Sequence, residues 1–107
     1  MSKMTSKLAL PFLLLLTACA TKVTSTGPTY PPTDPSTIKV FAVQKPDCNL
    51  EELGVVVTNL KWNQEKAVED AKLNASKIGA TYIQISDIKR NIYNDAAVTV
   101  VAFRCKP

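Results

Sequence analysis

Cysteine is the residue type in this sequence with the most distinctive chemistry, because a thiol can be acylated, oxidised to a disulfide or bound to a metal. Cys19 follows a short apolar run near the start of the chain, whereas Cys48 and Cys105 lie in its later part. The sequence has no histidine, and Cys48 and Cys105 do not form a C-x-x-C motif. This composition disfavours a metal centre or a dithiol redox site. Acylation and disulfide formation therefore remain as the possible reactions of these three cysteines.

The segment before Cys19 has the composition of a secretory signal peptide. Residues 1–7 are polar and basic, residues 8–16 form an apolar run, and small residues follow. A transmembrane anchor is the alternative, but this run would rise only about 14 Å as a helix, roughly half of a hydrocarbon core. Pro11 also interrupts it. Residues 1–18 are therefore predicted to be a signal peptide that is removed.

The four residues Leu16-Thr17-Ala18-Cys19 resemble the lipobox of bacterial lipoproteins, in which an aliphatic and two small residues precede the modified cysteine. The resemblance implies that the Cys19 thiol receives a diacylglyceryl group, that cleavage follows Ala18, and that the new amine is acylated. One acyl chain anchors a protein marginally, whereas two or more anchor it durably. In that class an aspartate after the cysteine favours the inner membrane, and Ala20 stands there instead. The predicted location is the periplasmic face of the outer membrane, with a lipid anchor.

Charge and the remaining side chains exclude several classes of function. The formal net charge is +4, but Lys3 and Lys7 belong to the signal peptide, which reduces the 13 basic residues to 11 against 9 acidic ones. The basic residues form no dense stripe with aromatics, so nucleic-acid binding is not predicted. The sequence has no glycine-rich phosphate loop, and its acidic pairs are sequential neighbours whose side chains diverge. We therefore predict no enzymatic activity, no cofactor, no metal and no small-molecule substrate.

Composition divides the mature chain into a tether and a domain. Residues 19–36 contain the acylated cysteine, four prolines and many threonines and serines without apolar periodicity. This pattern is typical of an extended, disordered tether, and residues 21–36 would reach on the order of 50 Å. Residues 37–107 are predicted to form one small α+β periplasmic domain.

Apolar periodicity predicts the elements of that domain. The predicted strands cover 37–43, 53–58, 81–88 and 96–104, and the predicted helix covers 64–78. Its apolar stripe consists of Val68, Ala71, Ala75 and Ile78. Asn63 suits the N-cap position, and Gly79 suits the left-handed position after the helix. This β-β-α-β-β order predicts a small antiparallel-rich sheet with one helix on a face.

The predicted topology pairs two of the cysteines. A strand–helix–strand connection favours parallel second and third strands joined by a right-handed crossover, so the fourth strand runs antiparallel to both. Cys48 precedes the second strand and Cys105 ends the fourth, which places them at the same end of the sheet. An exported chain reaches an oxidising compartment, and Cys19 is used by the lipid. A Cys48–Cys105 disulfide is therefore predicted.

Residues 69–82 (EDAKLNASKIGATY) and a last strand ending in Phe103-Arg104-Cys105 resemble the family of the Rcs stress-sensor outer-membrane lipoprotein. The nearer resemblance is to its short uncharacterised Gram-negative lipoprotein relatives. The lipobox, the Pro-rich segment and the IKVF strand belong to the same pattern. The resemblance implies an α+β periplasmic domain and an outer-membrane anchor. The chain departs from the sensor in having cysteines for one disulfide rather than two, and a shorter tether.

Candidate contact residues lie in the predicted hairpin loop 89–95, where Lys89, Arg90 and Tyr93 suit a partner contact, because loops on a rigid sheet often carry binding. A plain solvated turn is the alternative. Trp62 is expected to pack over the sheet edge. The resulting hypothesis is a non-enzymatic, membrane-anchored lipoprotein that binds an envelope protein partner in a stress-sensor-like or accessory role. The alternative is a structural envelope lipoprotein without a specific ligand, or a minor cell-wall enzyme.

Overall fold

The computed structural model describes residues 20–106, so Cys19 and the predicted signal peptide lie outside the described residues. One five-stranded sheet and one α-helix make up the regular structure of that range, with a short 3-10 turn at Pro35–Thr37. The elements are β1 (Lys22–Ser25), β2 (Lys39–Phe41), β3 (Leu50–Val57), α1 (Gln64–Ser76), β4 (Tyr82–Arg90) and β5 (Ala96–Cys105). No helix in residues 20–106 is long and apolar enough to span a bilayer.

The sheet has the order β1-β3-β5-β4-β2 and is mostly antiparallel. β1 pairs with β3, β3 with β5, and β5 with β4 in antiparallel fashion, whereas β2 pairs with β4 in parallel. Because β3 and β4 both run antiparallel to the central β5, they point in the same direction, with α1 connecting them. The predicted antiparallel-rich α+β fold is confirmed, including the relative directions of these three strands.

The prediction of a disordered tether is wrong from Lys22 onward. β1 lies within it and pairs with β3, with Lys22 opposite Val57 and Ser25 opposite Gly54. Without β1, β3 would expose a row of unpaired backbone groups at the sheet edge, and β1 satisfies them. The sequence Lys-Val-Thr-Ser is short but contains β-branched residues, which suit a strand once an edge is available.

The chain after β1 continues along the helix side of the sheet. The Thr26 amide donates to the Leu53 carbonyl at 3.0 Å, and the Thr33 amide donates to the Ser76 carbonyl at 2.9 Å. The Thr33 hydroxyl also donates to the Ala80 carbonyl at 2.6 Å. The prolines of this segment therefore shape a docked connection rather than a free spacer, and the folded unit begins near residue 21 instead of residue 37.

Helix α1 covers one face of the sheet through small side chains. Ala67, Ala71 and Ala75 follow one another at intervals of four residues and are fully buried, which lets the helix approach the sheet closely. The predicted stripe is rotated slightly, because Val68 and Ile78 are only partly buried at its margin. The large side chains beneath the helix are Leu53, Val56, Ile83, Val98 and Val100. Each such buried side chain contributes about 1.5–3 kcal/mol to folding.

The ends of α1 follow the predicted signals. The Asn63 side-chain oxygen accepts the Lys66 amide at 2.9 Å, so Asn63 is the N-cap residue. Gly79 has φ of 88°, a left-handed conformation that disfavours residues with a Cβ. A Cβ built on Gly79 would lie 2.6 Å from the Cβ of Tyr30. Glycine is required here both by the backbone conformation and by the docked N-terminal segment.

The disulfide Cys48–Cys105 is confirmed, with a Cα–Cα distance of 5.7 Å. Leu50 of β3 lies opposite Cys105 of β5, so the bridge joins the two strands at one end of the sheet. It also holds the connection 42–49, which must pass from β2 at one edge to β3 on the other side of β5. We call this the disulfide end of the sheet.

Candidate functional site

The predicted contact residues Lys89, Arg90 and Tyr93 do not form one surface. β4 extends through Arg90, so the predicted loop 89–95 begins two residues too early. Lys89 lies opposite Ala97 and Arg90 opposite Ala96, and consecutive strand residues point to opposite faces of a sheet. Tyr93 alone remains in the loop, where it is exposed. The segment contains no glycine or proline that would end the strand earlier.

Arg90 is engaged by the start of the helix. Its guanidinium donates a hydrogen bond to the Gln64 side-chain oxygen. A shallow depression of about 300 Å³ adjoins this contact, lined by Asn63, Gln64, Glu65, Arg90 and Asn94. Through the Gln64 contact Arg90 joins β4 to α1, and its side chain remains exposed.

The β4–β5 turn is held by its own polar groups. The Asn91 side-chain oxygen accepts the amides of Tyr93 at 2.9 Å and Asp95 at 3.0 Å, and the Asn91 side-chain nitrogen donates to the Asp95 carboxylate at 3.1 Å. Asn94 has φ of 67°, a conformation that asparagine tolerates well. Ile92 and Tyr93 are therefore presented to solvent on a defined turn.

The expected packing of Trp62 over the sheet edge is wrong, because its side chain is exposed. The backbone is fixed on both sides of it. Lys61 exchanges two backbone hydrogen bonds with Ala96, at 2.8 and 2.9 Å, and Asn63 caps the helix. With both neighbours held in this way, Trp62 projects from the β3–α1 connection instead of folding back onto the core.

Two loops thus place large apolar side chains at the same end of the sheet, opposite the disulfide end. Leu60 and Trp62 belong to the β3–α1 connection, and Ile92 and Tyr93 belong to the β4–β5 turn. We call these four residues the loop end. Sequence reasoning identified Tyr93 as a contact residue but missed Leu60 and Ile92, although both are large apolar residues in short connections between elements.

A second surface is the sheet face that α1 does not cover, which we call the open face. The strand register places six apolar residues on this face, at alternating positions along the strands. Its members are Phe41, Val55, Val57, Tyr82, Val101 and Phe103. The Phe41 ring centroid lies 5.9 Å from that of Phe103 and 6.4 Å from that of Tyr82. Val57 is 44% exposed, and the others retain partial exposure. No helix or strand packs on this face within residues 20–106.

A polar contact between Tyr30 and Glu51 helps to hold the fold together. The Tyr30 hydroxyl donates to Glu51, and this hydrogen bond is the largest cause of a raised pKa of the Tyr30 phenol. Residues 20–106 contain no group of three or more Cys, Asp or Glu side chains arranged to hold a metal ion. Apolar side chains are exposed at the loop end and on the open face.

No protein-family model matches the chain. No curated protein matches it either. Among solved structures, the chain is similar to the crystal structure of the Francisella virulence factor FvfA, with 21% sequence identity and a TM-score of 0.57. The match covers 78% of this chain and 96% of FvfA. At this identity the likeness shows a shared small α+β fold.

Proposed function

We propose that this chain is a non-enzymatic lipoprotein, anchored by Cys19 on the periplasmic face of the outer membrane, that binds a protein partner of the cell envelope through its open face. The observation that carries the proposal is the apolar open face itself. One face of the sheet is buried under α1, while the other presents valine and aromatic side chains without a covering helix or strand in the described range.

An antiparallel sheet with one solvated face ordinarily alternates apolar and polar residues. β5 departs from that pattern, since Val101 and Phe103 on the open face alternate with Val100 and Ala102 in the core. Val55 and Val57 of β3 extend the same surface, opposite Val101 and Thr99. A contiguous, partly exposed apolar surface of this kind commonly marks a site of association with another protein.

The disulfide supports the proposed compartment. Disulfides persist in oxidising environments such as the periplasm and are rare in reducing ones. Cys48 and Cys105 are bonded to each other, which leaves Cys19 as the single cysteine available for acylation. Together with the lipobox, this supports export, anchoring and a folded domain outside the cytoplasm.

Site-specific photo-crosslinking in living cells tests the proposal. A photoreactive residue at Val57 or at Tyr82, both on the open face, is expected to yield one discrete protein adduct. The matched control is the same residue at Leu73, which is exposed on α1 to a similar extent as Val57. A further variant, Val101→Lys, is expected to abolish the adduct formed from Val57 by placing a charge in the centre of the surface. Equal adducts from Val57 and Leu73, or an adduct that survives Val101→Lys, would contradict this assignment of the partner surface.

A further inference from the structure

The most exposed apolar side chains of residues 20–106 are concentrated at the loop end. Five large apolar residues are more than half exposed. Trp62 is 88%, Ile92 89%, Tyr93 77% and Leu60 57% exposed, and all four belong to the loop end. The fifth, Val43 at 89%, lies outside the loop end, in the connection 42–49 that follows β2. The most exposed apolar side chains are therefore concentrated at one end of the strands.

Backbone bonds join the two loops that carry these side chains. Lys61, between Leu60 and Trp62, is paired with Ala96 at the start of β5, a few residues after Ile92 and Tyr93. The Asn91 side chain closes the turn around Ile92 and Tyr93. The loop end is thus one pre-formed surface built on rigid strands.

The chain enters the fold at this same end. Thr21 precedes β1, and its hydroxyl lies 3.4 Å from both the side-chain oxygen and the backbone amide nitrogen of Asn59, next to Leu60. The Thr21 hydroxyl also donates to Asp70 of α1. Cys19 stands two residues before Thr21 in the sequence. A lipid attached to Cys19 would therefore be linked to the domain at this end.

We propose that the loop end is a membrane-docking surface, and that its occupant is the phospholipid leaflet that holds the acyl chains of Cys19. The inference rests on the lipid anchor of the proposed function and adds an orientation to it. Trp and Tyr favour the membrane–water interface, where an amphipathic ring lies at the level of the headgroups. Leu60 and Ile92 supply apolar groups that suit shallow burial at the headgroup–acyl boundary.

The surroundings of Trp62 suit a phospholipid surface as well. A depression of about 550 Å³ next to it is lined by Lys61, Trp62, Asn63 and Lys66. The ammonium groups of Lys61 and Lys66 form ion pairs with Asp70 at 4.0 Å and with Glu69 at 3.4 Å. They would lie near the phosphate level of a leaflet when the Trp62 ring lies at the interface. In this orientation the strands rise from the membrane, and the disulfide end and the open face remain accessible from the periplasm.

Trp62 provides the measurement, because it is the single tryptophan of the chain. The mature lipidated protein is reconstituted into vesicles of phosphatidylethanolamine with a minority of phosphatidylglycerol, and flotation establishes anchoring. Lipids brominated near the top of the acyl chain are expected to quench Trp62 fluorescence strongly, whereas lipids brominated near the bilayer centre quench it weakly. The emission maximum is expected to shift to the blue relative to the protein in dilute detergent.

A matched pair of variants separates docking from mere proximity to lipid. Ile92→Ser with Tyr93→Ser is expected to reduce quenching by shallow bromines at least about twofold, because the second loop no longer holds Trp62 at the interface. Val43→Ser removes an equally exposed apolar residue outside the loop end and is expected to leave the quenching unchanged. Circular dichroism of each variant checks that the fold is retained.

The outcomes distinguish the anchor from the orientation. A protein that fails to float overturns the anchor and the docking together. A protein that floats but keeps Trp62 accessible to an aqueous quencher, without bromine quenching, overturns the docking alone. If Trp62 is accessible on pure vesicles but protected in whole cell envelopes, the loop end belongs to a protein interface and the docking is again overturned.

Discussion

The guanidinium carbon of Arg104 lies 4.2 Å from the centroid of the Tyr30 ring. This cation–π contact joins the N-terminal segment to the central strand β5. The Tyr30 amide also donates to the Ile78 carbonyl at 3.2 Å, just beyond the end of α1. Tyr30 therefore contacts the sheet, the helix end and Glu51 of β3. Together with Thr33 and the buried Ile38, it fastens the segment between β1 and β2 to the domain.

Tyr30→Ala is expected to lower the melting temperature by about 5 °C or more, because it removes the aromatic packing, the cation–π contact and the hydrogen bond to Glu51. Thermal unfolding followed by circular dichroism measures the effect. Tyr93→Ala is the control, since Tyr93 is exposed and its loss is expected to change the free energy of unfolding by no more than about 0.5 kcal/mol. Identical melting of the two variants would mean that residues 26–36 are a loose tether after all.

Removal of the disulfide is expected to cost about 4 kcal/mol of unfolding free energy in the chain-entropy account, since the bridge joins residues separated by 57 positions. The double variant Cys48→Ser with Cys105→Ser is compared with the wild type in urea unfolding, both without reductant. The wild type in reductant should then match the double variant. Rapid alkylation of both thiols in the native, unreduced protein would show that the bridge does not form.

Gly79→Ala is expected to destabilise the domain by about 1–3 kcal/mol, because an alanine would occupy a left-handed conformation and approach Tyr30. Urea unfolding provides the measurement, and Lys77→Ala at the exposed end of α1 is the control with little expected change. If the strain alone is responsible, the combination with Tyr30→Gly, which removes the Cβ nearest to the added methyl group, should retain the full cost of Gly79→Ala. If the contact with Tyr30 contributes, the double variant should recover part of it.

The lipid anchor predicts a defined N-terminus. Mass spectrometry of the mature protein is expected to find Cys19 as the first residue, carrying thioether-linked diacylglycerol and an acylated amine. Cys19→Ala should leave the precursor uncleaved by the lipoprotein peptidase, while Thr17→Ser, which keeps a small residue before the cysteine, should be processed normally. An unmodified mature N-terminus at any other residue would contradict the anchor.

Elements whose signals are local could be predicted from the amino-acid sequence alone. Alternation and β-branched residues located β3, β4 and β5, and Asn63 and Gly79 marked the ends of α1, because a cap and a left-handed glycine act within one turn of backbone. The Cys48–Cys105 pairing was also within reach, since strand directions place both residues at one end of the sheet. The segment before Cys19 has a motif that is complete in sequence, although the structure does not describe it.

Features that depend on distant partners became visible in the folded structure. Residues 22–25 become a strand because β3 offers an unpaired edge, and Tyr30 is fastened by Arg104, which lies more than seventy positions further along the chain. Arg90 joins the helix through Gln64, and Trp62 projects outward because Lys61 is paired with Ala96. None of these contacts has a local signature, since edge pairing and side-chain exposure are set by which surfaces long-range folding brings together.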